Sequence, residues 1–257
     1  MELPISERLP RAALVTGGAR RLGRAITLAL AAAGFDVAIH MRSAHAEAEA
    51  LAAEIEAMGR RALVIAADLA REEEVQALFP AALSLGPIGL LVNNASAFER
   101  DEWESATRAS WDRHLEPNLR APFVLTQHFA RVLPRTAEGV VVNLLDERVW
   151  ALTPHFVSYT LSKAGLWTLT RTLALALAPR IRVAGIGPGP ALPSARQSAA
   201  EFARQTSILP LRHGPTPEEI ARAVLMILVL PSFTGQMLAL DGGQHLRWAA
   251  GGTPIEE

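Results

Sequence analysis

The sequence predicts an α/β protein: a doubly wound parallel sheet with helices on both faces, in one domain spanning residues 1–257. Three observations predict it. Short, continuous apolar runs alternate with longer helical stretches, as strands buried on both faces require. The first run, Ala12 to Val15, passes through Thr16-Gly17-Gly18-Ala19-Arg20-Arg21-Leu22-Gly23 into an Ala/Leu-rich helix. Nothing in the 257 residues reads as a linker, a charge block or a tandem repeat.

Taken in order, the helix after the glycine turn runs from Arg24 to Ala33 and stops at Gly34, and Asp36 to Ile39 is the second strand. Strand, turn, helix and strand within about 30 residues make a βαβ unit. The pattern repeats as helix Ala44 to Met58, strand Ala62 to Ala67, helix Glu72 to Leu83 and strand Ile88 to Asn93. Helices around Ser110 to Leu133 lead to strand Gly139 to Leu145. A helix carrying Tyr159 ends near Leu177, before strand Ile181 to Ile186. The last pair is helix Pro217 to Leu230 and strand Gln236 to Leu240. The exception is Pro188 to Pro217, where six prolines surround a short polar helix, Ser194 to Gln205. A loop this long in a compact domain is a lid or a binding loop, and it starts at a strand end, where open α/β sheets bind ligands.

Composition removes several classes of function. A formal net charge of -1 gives no electrostatic footprint for nucleic acid or an acidic membrane. Cysteine is absent, which excludes disulfides and thiolate metal sites. Met1 to Pro10 has no apolar signal region, and the longest aliphatic run, Ala223 to Leu230, is too short to span a bilayer. A soluble, cytoplasmic protein is expected. His114, His128, His155, His213 and His245 show no metal spacing, so no metal is expected.

The glycine turn implies a nucleotide. Gly17 and Gly23 let the backbone approach a pyrophosphate, and the helix N-terminus behind them supplies N–H donors and a positive dipole. An NAD-specific fold places an acid at the end of the second strand to take the ribose 2′-hydroxyl. Here that end reads His40-Met41-Arg42-Ser43, and His40, Arg42 and Ser43 suit a 2′-phosphate. Asp36 stands at the wrong end of the strand. NADPH is the expected cofactor.

Chemistry is concentrated in Tyr159-Thr160-Leu161-Ser162-Lys163. It holds the single tyrosine of the chain and its one lysine, against 24 arginines. Four apart on a helix, the two side chains share a face. An ammonium beside a phenol favours phenolate, which makes Tyr159 a candidate acid.

With the glycine turn, Asn93-Asn94-Ala95 after the fourth strand, and the Tyr159/Lys163 pair in this order, the chain resembles the short-chain dehydrogenase/reductase family, and so a Rossmann-type fold. The resemblance extends to Thr234-Gly235-Gln236 and Asp241-Gly242-Gly243. It implies that Tyr159 moves the proton, that Lys163 holds the nicotinamide ribose, and that Asn118 supports a water relay. It implies cofactor contacts from Gly17, Arg20, Arg21, Leu22 and Gly23 in the turn, and from Asn93, Asn94, Ala95 and Ser96. By the same resemblance Asp68 and Leu69 meet adenine, and Pro188 and Gly189 border the nicotinamide.

Two departures narrow the resemblance. Arg21 stands where the family writes glycine, and Asp146, 13 residues before the tyrosine, where it writes the catalytic serine. Both are similar to the pteridine reductases within the family, as is Asn94-Ala95-Ser96-Ala97-Phe98. That resemblance implies that Ser96 contacts cofactor, that Phe98 stacks on a pterin, and that Arg21, Ser96, Asp146 and Tyr159 bind substrate. The chemistry would be hydride transfer to a C=N bond of a flat ring, with protons from Tyr159 and Asp146. The alternatives are a carbonyl reductase of 3-oxoacyl or other ketone substrates and a non-catalytic NADPH sensor or scaffold. Asp146 paired with Arg148 in solvent, Phe98 as core, and Arg21 serving phosphate alone are the plain readings of those residues. Trp150 and His155 lie between Asp146 and Tyr159 without an assigned role. Family members are commonly tetramers; the apolar helix Leu161 to Leu177 and Trp248 would suit one.

Overall fold

The computed structural model describes residues 4–194 and 196–246. Seven strands form one parallel sheet: β1 (Ala12–Val15), β2 (Asp36–Met41), β3 (Ala62–Ala66), β4 (Leu90–Asn93), β5 (Gly139–Leu144), β6 (Ile181–Pro188) and β7 (Met237–Leu240). Their order is β3-β2-β1-β4-β5-β6-β7, the doubly wound arrangement the sequence predicts. The order reverses between β1 and β4, and the crevice beyond their carboxyl ends is where such a sheet takes its ligand.

Both faces of the sheet are covered because every interior strand is apolar on both sides. Along β1, Ala13 and Val15 face one core with Ile39, Leu51 and Ile55. Ala12 and Leu14 face the other, with Phe79, Phe129 and Val141. The first core lies under α1 (Arg21–Ala32), α2 (His45–Ala57) and α8 (Pro217–Leu228), the second under α3 (Glu72–Ala82), α5 (Ala121–Val132) and α6 (Val157–Leu177). Phe79 and Phe129 are fully buried with ring centroids 6.0 Å apart, and truncating either to alanine should cost about 3–5 kcal/mol.

Local chemistry moves several boundaries. The stretch around Ser110 to Leu133 is not one helix: α4 (Arg108–Leu115) widens into a π turn at Glu116–Arg120 before α5 begins. Pro117, with no N–H to donate, sits inside that turn and removes an ordinary helical bond. The polar helix of the long loop is α7 (Ala199–Ser207) rather than 194–205, because Ser198 and Glu201 form a capping box that fixes its start. β6 continues to Pro188, so the loop leaves directly from the sheet. Trp248 lies outside the described residues. No helix among the described residues is long and apolar enough to cross a membrane.

Candidate active site

A cleft of ≈ 250 Å³ opens at the carboxyl ends of β4, β5 and β6 and gathers Arg21, Ser96, Phe98, Asp146, Tyr159, Lys163, Pro188 and Gly189. The switch point of the sheet supplies its floor and the Pro188-to-Pro217 loop its roof. Pro190, Ala191, Leu192, Ser194, Gln197 and Gln205 of that loop all line it.

The nucleotide turn is held by its neighbours. A Cβ on Gly23 would sit 2.0 Å from Gly17 O, so only glycine lets the first turn of α1 pack on the loop before it. Asn94 Nδ2 donates to Thr16 O at 2.8 Å and to Gly17 O at 3.1 Å, while Thr16 Oγ1 accepts from the N–H of Asn94 and of Ala95. Arg20 caps α1 in position only, with no side-chain hydrogen bond to the first-turn amides. Those amides are ready donors to a pyrophosphate, so the turn fits a dinucleotide. Arg20 itself pairs with Glu47, and Leu22 is half-buried at the cleft. Asp68 and Leu69 follow β3, half-buried and buried respectively.

The end of β2 divides its residues. Arg42 and Ser43 are exposed, as a 2′-phosphate contact requires. His40 corrects the sequence reading. It is buried, Nδ1 accepts the Gly17 N–H at 3.0 Å, and Nε2 lies 3.0 Å from Ala67 O, to which it donates. Its ring braces the turn from inside instead of facing a phosphate. Burial pushes its pKa down, against the pull of Ala67 and Asp68, so it stays neutral and can accept. Asp36, at the other end of the strand, is held by Arg60 and Arg61. Asn93 is buried and donates to Asn143 Oδ1 at 2.8 Å, which ties β4 to β5.

The catalytic candidates Asp146, Tyr159 and Lys163 all line the cleft. Tyr159 Oη donates to Asp146 Oδ2 at 2.7 Å. Asp146 Oδ1 accepts the Arg148 N–H at 2.9 Å and so starts the 3₁₀ turn Glu147–Val149. Asp146 is half-buried, with both oxygens hydrogen-bonded, rather than a fully solvated carboxylate. Lys163 is buried and donates to Leu144 O at 2.7 Å. Burial drives its pKa down to about 8, with Asp146 pulling the other way.

Asn118 is placed differently from a relay group. Its Oδ1 accepts the Ala97 N–H at 2.7 Å, and its Nδ2 donates to Ala97 O at 2.9 Å and Ser162 Oγ at 3.0 Å. The side chain clamps the Ser96-Ala97-Phe98 segment. One face of Phe98 is stacked on Phe156, with centroids 4.6 Å apart and planes 9° off parallel, and the Tyr159 ring meets it edge-on at 4.6 Å. Arg21 holds a left-handed backbone, φ +53°, and its guanidinium donates to Pro193 O at 2.9 Å and Leu192 O at 3.3 Å. In this structure it clasps the long loop at the edge of the cleft.

The sequence did not single out Glu147, Arg148, Gln197, Gln205 or Gln244 as cleft residues. Adjacency to Asp146 was the available signal for the first two. Arg148 is buried with its guanidinium 5.4 Å from the Phe98 centroid and 5.0 Å from that of Phe156. Trp150 and His155 do not line the cleft: Trp150 packs on Trp167 and His245, and His155 bonds Glu102. Among the described residues no group of His, Asp and Glu is arranged to hold a metal ion.

A doubly wound sheet with a glycine turn and a Tyr–Lys pair at its switch point defines a nucleotide-dependent oxidoreductase. Residues 11–203 match the short chain dehydrogenase family, and the chain belongs to it. Among solved structures it is similar to FolM alternative dihydrofolate reductase 1 from Brucella suis in complex with NADP. That match has 51% identity and a TM-score of 0.91, covering 93% of this chain and 97% of the other. The Brucella canis protein, also complexed with NADP, shares 49% identity with a TM-score of 0.92 over 96% and 99%. Curated relatives include a 3beta-hydroxysteroid dehydrogenase 1 from Eggerthella lenta, 34% identical over 91% of this chain and 93% of that protein. A 3-oxoacyl-[acyl-carrier-protein] reductase from Staphylococcus epidermidis is 29% identical over 92% and 99%.

Proposed function

We propose that the chain is an NADPH-dependent reductase of a C=N bond in a pterin ring, of the dihydropterin or dihydrofolate type. The observation that carries this reading is the 2.7 Å bond between Tyr159 Oη and Asp146 Oδ2, a carboxylate where the family places a hydroxyl. An ionised carboxylate only accepts. A ketone offers it no proton, whereas a pterin carries amino and ring N–H groups that bond well to an anionic acceptor. The NADP complexes of the two Brucella proteins support both cofactor and substrate class.

NADP(H) is the cofactor. Gly17, Gly23 and the first turn of α1 would hold its pyrophosphate, Arg42 and Ser43 its 2′-phosphate, Asp68 and Leu69 its adenine, and Ser96, Lys163, Pro188 and Gly189 its nicotinamide half. When bound it supplies the hydride. The chain supplies the rest: Phe98 orients a flat ring, Tyr159 releases a proton from Oη to the ring nitrogen, and Lys163 steadies the phenolate left behind. Asp146 holds the phenol in place and receives substrate N–H groups. The fuller form of the proposal is a cytoplasmic homotetramer acting on a small molecule, and the exposed Leu161 and Leu175 of α6 support self-association.

The similarity to 3-oxoacyl reductases supports a second reading, reduction of a ketone. NADPH consumption by the purified protein with dihydrobiopterin, dihydromonapterin and dihydrofolate, beside a 3-oxoacyl thioester, separates the two. Pterin turnover that collapses in Asp146→Ser upholds the proposal. Thioester turnover that survives or improves in that variant overturns it.

A further inference from the structure

Behind the cleft, and outside its lining, Asp101, Ser158 and His114 form a buried polar chain. Ser158 donates its hydroxyl to Asp101 Oδ2 and its backbone N–H to Asp101 Oδ1 at 3.1 Å. His114 Nδ1 lies 2.7 Å from Ser158 Oγ, and its Nε2 accepts the Glu99 N–H at 3.0 Å. Because Nε2 accepts, the ring proton is on Nδ1 and is donated to Ser158. An Asp, Ser and His set invites comparison with a nucleophile triad. Ser158 is 0% exposed, so no substrate reaches it, and the chain is a strut.

What the strut joins matters more than its composition. Glu99 follows Phe98 and Ser158 precedes Tyr159, so one imidazole links the backbone of the stacking ring to the backbone of the acid. The two rings meet edge to face at 4.6 Å, and the His114 ring faces Tyr159 at 6.0 Å. An apolar side chain would fill the volume but would leave the Glu99 N–H and Ser158 Oγ without these partners, a cost buried polar groups rarely bear. Burial lowers the His114 pKa, aided by Arg113 and opposed by Asp101, Ser110 and Glu99. That keeps the ring neutral, the only form that donates from one nitrogen while accepting at the other.

We propose that His114 is a positioning residue that fixes Phe98 and Tyr159 relative to one another, Nε2 setting the substrate face and Nδ1 setting the acid. It touches neither substrate nor cofactor. The inference rests on Tyr159 as the proton donor, and holds for any flat substrate placed between Phe98 and the cofactor.

The two arms are separable by isosteres. An asparagine amide occupies the place of Nδ1, and a glutamine amide that of Nε2. His114→Asn keeps the Ser158 arm and should raise substrate KM about tenfold with kcat nearly unchanged; His114→Gln keeps the Glu99 arm and should lower kcat about tenfold with KM nearly unchanged. A readout independent of turnover exists because the chain has one tyrosine. Protein labelled with 13Cζ-tyrosine gives a single phenol resonance from Tyr159. His114→Gln should shift the titration midpoint of that resonance downward by about half a pH unit or more, as the phenol loosens from the Asp146 carboxylate that favours its protonated form, and His114→Asn should leave it in place. Asp101→Asn cuts the same arm without touching the ring and should reproduce the glutamine variant, which covers misfolding of either histidine variant. Both variants changing kcat and KM alike, or no variant moving the resonance, overturns the proposal. Absence of pterin turnover in the wild type counts against the pterin reading alone, since the resonance is read without substrate.

Discussion

His40 Nδ1 accepts the backbone N–H of Gly17 at 3.0 Å, so the histidine near the end of β2 holds the turn that ends β1. The His40 carbonyl accepts the next N–H, that of Gly18, also at 3.0 Å. Two successive amides of the nucleotide turn are thus fixed by one residue, and the imidazole must be unprotonated to fix the first.

This gives a pH dependence with a defined sign. The folded-state pKa of His40 lies below its ordinary value of 6.5, so the unfolded chain binds the proton more readily. Stability is at full strength above about 6.5 and declines as pH falls from there toward the folded value, below which the loss levels off. His114 is shifted in the same direction and adds to it. Thermal unfolding between pH 7.5 and 5 should show the decline, and His40→Asn, whose Oδ1 can still accept from Gly17, should flatten it while retaining NADPH binding. His40→Leu should weaken NADPH binding by about tenfold, the loss of one buried hydrogen bond. An unchanged dissociation constant in the leucine variant would show that the brace is dispensable.

Lys163 sets activity and stability against each other. Its pKa of about 8 stands below the ordinary 10.5 because the ammonium is buried. Turnover should decline on the alkaline side with a midpoint near 8 as the charge that steadies the phenolate is lost. Stability should do the opposite. Burying the ammonium costs roughly 3 kcal/mol at neutral pH, and the cost is relieved as pH rises from the folded pKa to the unfolded one. Lys163→Met should lose turnover by about 100-fold or more. Across the same pH range wild type should gain unfolding temperature relative to it. Parallel stability profiles would refute the assignment of that cost to Lys163.

The order of the elements was legible in the sequence because strands buried on both faces are written as unbroken apolar runs. That Asp146 and Tyr159 share a site followed from the family resemblance, which places one just past β5 and the other in the first turn of α6. What could not be read were side chains whose partners are set by packing. His114 and Ser158 are 44 residues apart, and nothing local distinguishes His114 from His128. His40 looked like a phosphate ligand because it stands two residues from Arg42. Every residue of β2 is buried, so His40 lies in the interior, while Arg42 lies just past the strand end in solvent. The start of α7 is written locally, in the Ser198-x-x-Glu201 capping box.

Replacing Asp146 tests charge separately from shape. Asp146→Asn is nearly isosteric: its carbonyl oxygen can keep the Arg148 N–H at the Oδ1 place and its amide at the Oδ2 place can donate to Tyr159 Oη, but it removes the negative charge. If the carboxylate receives substrate N–H groups, the variant should raise KM for a dihydropterin by about tenfold or more, the worth of a charge-assisted hydrogen bond. The 13Cζ signal of Tyr159 should at the same time remain that of an ordered, hydrogen-bonded phenol. Initial-rate kinetics on both proteins decide the matter. A fall in kcat with no change in KM would assign Asp146 to proton transfer instead of substrate binding.

Arg21 joins two features that glycine would separate. Its left-handed φ of +53° costs a non-glycine residue roughly 1–2 kcal/mol, and its guanidinium spans to Leu192 and Pro193 at the start of the long loop. Arg21→Gly should therefore relieve the backbone while releasing the loop. Global stability should change by less than about 1 kcal/mol, since the relief is offset by the added freedom of glycine in the unfolded chain. The loop itself should open more often. Trypsin can cut after Arg196, Arg204 and Arg212, all beyond the clasp, and native-state cleavage there should quicken by about tenfold when two hydrogen bonds holding the loop are lost. Arg21→Lys offers one cation with a single point of attachment and should fall between. Equal cleavage rates in all three proteins would mean that the loop is held by its prolines and by α7, with Arg21 a passenger on its surface.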